Sequence, residues 1–292
     1  MRQKKSYKNI KPGAVVREYR LTIILLWLLH ILTIPLAAFF IWRGFSGQTS
    51  PINGILTAAA ILFANYLIRV LRILKLNQLN SILTADCDPV KYETVFRAIR
   101  DGGWKNPNYT LNIARARYYQ GDWQGAVAEL KKMPMPKEKS ILILQYYNLL
   151  ANCLEMEGDF SRIIEIREKV KKIITGVKEK SNMAANGRQL LTIIDGILTF
   201  HRQNVTRARE IYEELFDNAS FTLSRLTSLW KLAQLDQLTG AGRSAIDRCE
   251  YIIDAGGTTF YVAEAERILG LCRKPSPRLE ESPEKEEADG AE

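Results

Sequence analysis

Histidine and cysteine are scarce in this sequence, and neither type is grouped. Its two histidines, His30 and His201, stand far apart, and Cys87, Cys153, Cys249 and Cys272 form no C-x-x-C pair. That excludes the usual spacings of zinc sites and redox dithiols. Isolated thiols in helical sequence read as small buried apolar residues of a reducing compartment rather than as a disulfide framework. A Walker loop, a G-x-S-x-G elbow and a Rossmann glycine run are absent too. The glutamates are scattered along helical stretches, as solvated faces are. The expectation is a non-enzymatic protein with no catalytic residue, metal or cofactor, against which an unrecognised carboxylate site is the enzymatic alternative.

Acidic residues are scarce at one end. Residues 1–75 carry eleven Lys and Arg (Arg2, Lys4, Lys5, Lys8, Lys11, Arg17, Arg20, Arg43, Arg69, Arg72, Lys75) against Glu18 alone. The rest of the chain holds 30 basic and 31 acidic side chains, so the formal net charge of +9 belongs to the N-terminal quarter. A nucleic-acid binder carries its basic face on the folded domain, so no nucleic-acid partner is expected.

That quarter also contains a long apolar run without charge. Leu21–Trp42 reads LTIILLWLLHILTIPLAAFFIW, and its roughly 22 residues make about 33 Å of helix, enough to cross a hydrocarbon core of about 30 Å. A second run, Ile52–Ile68, is shorter and is followed at once by Arg69 and Arg72, whose long stems can snorkel to the interface. A cleaved signal peptide would have a shorter apolar region and a small-x-small site after it, whereas Ala37 and Ala38 sit inside the run. A buried core hairpin is the other alternative, but soluble helices of this length carry a charged face.

The basic flanks place both ends on the cytoplasmic side of a cell membrane, because the connecting loop has only Arg43. Small residues at Gly54, Ala58, Ala60 and Ala64 favour close helix–helix association. His30 and Asn65 are polar groups at membrane depth, and interhelical hydrogen bonding is their expected role rather than an ion path. The predicted organisation is a basic cytoplasmic segment at 1–20, transmembrane helices at 21–42 and 52–71, and a helical connector at 72–105. The leucine spacing carries the second helix on to Leu83, and Asp88-Pro89 is an N-cap followed by a first-turn proline.

Past this connector, four segments align on a turn: IARARYYQGDWQGAVAELKKM, LANCLEMEGDFSRIIEIREKV, DGILTFHRQNVTRAREIYEEL and KLAQLDQLTGAGRSAIDRCEYI. A small residue (Ala114, Ala151, Gly196, Ala233) lies seven before the turn residue (Gly121, Gly158, Gln203, Gly240). Five after it comes Ala126, Ile163, Ala208 or Ala245. The turns are 37, 45 and 37 residues apart, and the stretch Ser181–Gly187 reads as a longer connection that lengthens the middle interval. A last helix near Thr259–Arg273 can cap the final unit. The Pro- and Glu-rich residues 275–292 read as a disordered acidic tail.

This pattern resembles the tetratricopeptide repeat, with Trp123 and Phe160 at the aromatic position after the turn. The resemblance covers roughly 106–255, although Val205 and Gly242 depart from that position. The units are also longer, and the family's first-helix aromatics are mostly missing. It implies an all-α fold: a two-helix transmembrane hairpin followed at 106–274 by an α-solenoid of about four helix-turn-helix units. It also implies a concave groove lined by the first helices, which binds a protein or peptide partner. On this chain that face is Asn108, Arg115, Tyr119, Asn148, Asn152, Glu155, His201, Trp230, Gln234 and Gln237, with inter-repeat core as the alternative for Tyr119 and Trp230. The expected function is a scaffold anchored in the lipid bilayer that recruits a partner to the cytoplasmic face. The alternative is an accessory subunit of a membrane transport or secretion complex, contacting it through the hairpin.

Overall fold

A computed structural model describes residues 7–47, 50–103 and 106–272, which form twelve helices and no strand. The acidic tail, the first six residues of the basic segment and two connector residues, 104 and 105, lie outside the described residues.

Two helices dominate the N-terminal part, α1 (Pro12–Phe45) and α2 (Pro51–Thr84), each with proline in its first turn. Both are long and apolar enough to cross a membrane. At 1.5 Å per residue each is about 51 Å long, well beyond the roughly 30 Å of a hydrocarbon core. α2 runs on past the apolar run, as its leucine spacing predicts. The extra length of α1 lies at its start: Val15, Val16, Tyr19, Ile23 and Leu26 form one buried stripe. Helical period places these residues on one face, and residues 12–20 belong to α1.

The hairpin is pinned along its length. Gly44 and Gly54 meet near the turn, where a Cβ built on Gly54 would lie 3.8 Å from the Gly44 backbone. Deeper in, His30 Nδ1 and Asn65 Oδ1 are 2.6 Å apart, and Thr33 donates to the same Asn65 oxygen at 3.0 Å. At the domain end Lys75 donates to Glu18 at 2.6 Å and to the Tyr7 hydroxyl at 3.1 Å.

Asp88 caps α3 (Pro89–Asp101) by accepting from the Lys91 amide. Four helix-turn-helix pairs follow: α4 (Pro107–Tyr119) with α5 (Trp123–Lys131), α6 (Ile141–Glu157) with α7 (Phe160–Thr175), α8 (Asn182–His201) with α9 (Val205–Asp217), and α10 (Thr222–Leu238) with α11 (Gly242–Ala255). The four aligned turn residues share one backbone state. Gly121, Gly158, Gln203 and Gly240 have φ of 86°, 76°, 57° and 74°, the left-handed conformation that ends a helix and that glycine adopts most easily. The next residue caps the second helix through its side chain in three pairs, Asp122, Asp159 and Asn204. Ala241 has no side chain to do so in the fourth. The eight aligned small or apolar positions flanking these turns are all buried, which lets the helices of each pair approach closely.

Ser181–Gly187 is not a connection. Ser181 caps α8 by accepting from the Ala184 amide, and the helix starts at Asn182 with Met183, Ala184 and Gly187 buried. The longer middle interval is spent on a 20-residue helix. Gly187 is required there, because a Cβ would run into Ile174 at 2.5 Å.

The last helix, α12 (Phe260–Cys272), does more than cap α11. Phe260 packs edge-on against Tyr118 and Trp123 of the first pair, at 5.7 and 5.2 Å, and against Trp230 of the last at 5.4 Å. Just before it, the Thr258 amide donates to the Cys87 carbonyl at 3.0 Å. The C-terminal helix thus returns to the first pair and to the α2–α3 turn, so one apolar core includes residues of α1 to α6 and of α10 to α12.

Candidate functional site

The helices that begin the pairs turn one face inward, and a cavity of about 330 Å³ opens between them. Position in each helix decides who reaches it. On α6, Asn148, Asn152 and Glu155 follow one another at spacings of four and three, and on α10 Thr227, Ser228 and Lys231 lie three, four and seven residues after Ser224. Such spacings keep side chains on one helical face. Gln189, Ile193 and Ile197 of α8 and Tyr119 of α4 complete the inner-helix set, while Tyr212 and Leu215 reach in from α9.

The charges of the cavity are matched. Lys231 Nζ donates to Glu155 Oε1 at 2.5 Å, and both side chains are almost wholly buried, at 6% and 9% exposure. The ammonium also lies over the Trp230 ring at 4.2 Å and the Phe200 ring at 5.0 Å, contacts that favour a desolvated cation. The pair joins α6 to α10 across the interior. Asn152 Nδ2 donates to the Asn148 carbonyl at 2.7 Å and to its Oδ1 at 3.0 Å. That fixes the two carboxamides and leaves Asn148 Nδ2 and Asn152 Oδ1 to face other groups. Tyr212 is 3% exposed and its hydroxyl has no hydrogen-bond partner among the described residues. Burial, with Glu155 nearby, pushes this phenol well above its ordinary pKa, so it stays a neutral donor. Ile193, Ile197 and Leu215 give one side an apolar surface.

Of the residues expected on the groove, Tyr119, Asn148, Asn152 and Glu155 come together here. The others lie elsewhere. Asn108 sits in the first turn of α4, where its amide and its side chain both donate to Asn106. Arg115 is half-buried against Tyr92 and Tyr119. His201 is exposed and stacks on Phe160 with ring centroids 3.5 Å apart. Gln234 and Gln237 are half-buried on α10 outside the cavity, and Gln234 Oε1 has no partner among the described residues.

Trp230 is corrected most clearly: at 2% exposure it is a core residue in contact with Phe260 and Tyr261, not an accessible anchor. The aromatic pull of α12 turns that face of α10 toward the core, and Lys231, one residue on and about 100° around the helix, faces the cavity instead. Sequence reasoning missed Lys231 although it carries a signal, a lone cation between Trp230 and Leu232 in an apolar stretch. Tyr212 and Leu215 carry none, since both follow the core period of α9.

Comparison of the chain with protein-family models, curated proteins and solved structures gives no match.

Proposed function

We propose that the chain is a membrane-anchored helical-repeat scaffold, similar in kind to tetratricopeptide-repeat proteins. On this reading it binds an extended segment of a partner protein at the cytoplasmic face of the membrane. The observation that carries it is the inner cavity: carboxamides and hydroxyls from four successive helix pairs converge there beside a small apolar wall. A peptide backbone offers alternating donors and acceptors, which Asn148 and Asn152 can meet, and its side chain can rest on Ile193, Ile197 and Leu215. Among the described lining residues the one carboxylate is paired to the one amine, which suits binding better than proton transfer. Two apolar helices supply the anchor, and the basic residues that flank them favour placing the domain inside the cell.

Site-specific photo-crosslinking in intact membranes tests the reading. A photoreactive residue at Gln189, exposed on the rim, should give one dominant adduct that disappears in the Asn148→Ala, Asn152→Ala double variant. It should persist when the part of the hairpin beyond its contacts with the domain, residues 28–67, is exchanged for unrelated apolar helices. An adduct that survives the double variant and vanishes with the hairpin exchange overturns the proposal in favour of a hairpin-docked accessory subunit.

A further inference from the structure

Where the hairpin meets the helical domain there is a second cavity, of about 510 Å³. Ile23, Ile24 and Trp27 of α1 give it an apolar wall, Arg72 of α2 supplies a cation, and Tyr109 of α4 borders it from the domain. Arg72 is underused. Its Nη2 reaches the Leu26 carbonyl at 3.3 Å, and its Nε is buried without a partner among the described residues. Among the described residues no carboxylate pairs with it; Glu18 pairs with Lys75. A guanidinium presents five N–H donors in a fixed fork that fits phosphate.

The depth of the site is set by the helices. Arg72 lies roughly 27 Å along α2 from the Gly44–Gly54 contact at the turn, and Trp27 lies about 26 Å along α1. With the turn at one membrane surface, both fall at the opposite edge of a hydrocarbon core about 30 Å thick, where tryptophan and lipid phosphates gather. We propose that this cavity binds one anionic phospholipid of the leaflet next to the helical domain. The phosphate sits on the Arg72 guanidinium, and the glycerol and upper acyl chain run along Ile23, Ile24 and Trp27. Basic pockets at helix–membrane junctions recognise head groups in this way. The proposal rests on the hairpin crossing a membrane.

Native mass spectrometry of the full chain in mild detergent tests it, with phosphatidylglycerol, phosphatidylcholine and inorganic phosphate as probes. The expected result is one phosphatidylglycerol retained per chain, preferred over phosphatidylcholine by about fivefold or more. Arg72→Gln removes the preference, and Arg69→Gln, at an exposed position nearby, keeps it. Equal retention of the two lipids, equal loss in both variants, or displacement by inorganic phosphate overturns the proposal. Should Arg72→Gln lose its helical circular dichroism, Ile24→Trp, which fills the cavity, must lose phosphatidylglycerol; retention there overturns the proposal as well. Insertion into phosphatidylcholine vesicles that resists alkaline carbonate is scored separately. Failure to insert removes the membrane reading itself, whereas insertion without lipid preference removes only the site.

Discussion

Glu155 and Lys231 stand 76 residues apart and meet in the interior at 2.5 Å. A buried charge left alone is costly, so Lys231→Met should lower stability by roughly 3–5 kcal/mol, and adding Glu155→Gln should recover most of that loss. Denaturant unfolding of the solubilised protein, followed by helical signal, checks this; equal losses in the single and double variants would show the pair to be uncoupled. The cysteines give a second residue-scale outcome. Burial pushes the Cys153 thiol up to about 12 and the Cys87 and Cys249 thiols up to about 11. Because the thiolate is the reactive form, iodoacetamide at pH 8 should modify the partly exposed Cys272 first and reach the other three only after unfolding. The sequence made the cysteines legible, since thiols in helical period are core residues. It did not reveal the Glu155–Lys231 pair, because no local pattern brings those two positions together.

At the scale of elements, one turn recurs four times, and its register was readable because glycine marks three of its left-handed positions. Gln203 occupies the fourth with φ 57°. A side chain there costs about 1 kcal/mol or more, so Gln203→Gly should raise the melting temperature by a few degrees; a lower one would mean that the glutamine makes a compensating contact. The first pair is joined to α3 by Glu129, which is 1% exposed and pairs with Arg100 at 3.2 Å and Lys132 at 3.0 Å. Burial opposes its charge, but Lys132 and Arg100 outweigh that and hold its pKa below the ordinary carboxylate value. A depressed carboxylate contributes stability above the unfolded pKa and loses it as pH falls through the folded one. Acid should therefore loosen the α3–α5 region from about pH 5 downward, and Glu129→Gln should flatten that limb of a stability-against-pH curve. The helical face that α10 turns inward was less readable. Its rotation is set by Trp230 meeting Phe260 and Tyr261, a contact between helices distant in the chain.

At the scale of the whole molecule, the apolar hairpin is built into the domain. Tyr7 and Tyr19 are buried, and Tyr19 shares a 3.1 Å hydrogen bond with Tyr109, while Lys91 Nζ donates to the Tyr7 carbonyl at 2.5 Å. Those contacts, with the Glu18–Lys75 pair, tie α1 and α2 to α3 and α4. α12 adds the second tie, from the last pair back to the α2–α3 turn. Phe260→Ala should cost roughly 3–5 kcal/mol and open the cavity-bearing interior, which hydrogen exchange would register as lost protection in both the first and last pairs. The hairpin and the repeat were legible from apolar length and turn spacing. The return of α12 was not, because its partners are an aromatic pair, Tyr118 and Trp123, in the first unit.

On the function proposed above, two helices cross the membrane and leave the helical domain inside the cell. Single reporter cysteines, Ser46→Cys in the turn and Arg202→Cys in the domain with Cys272→Ser, test it with a membrane-impermeant maleimide on intact cells. Residue 46 should be labelled from outside, and residue 202 only after the membrane is opened. Labelling of residue 202 from outside, or of both sites only after opening, would contradict it.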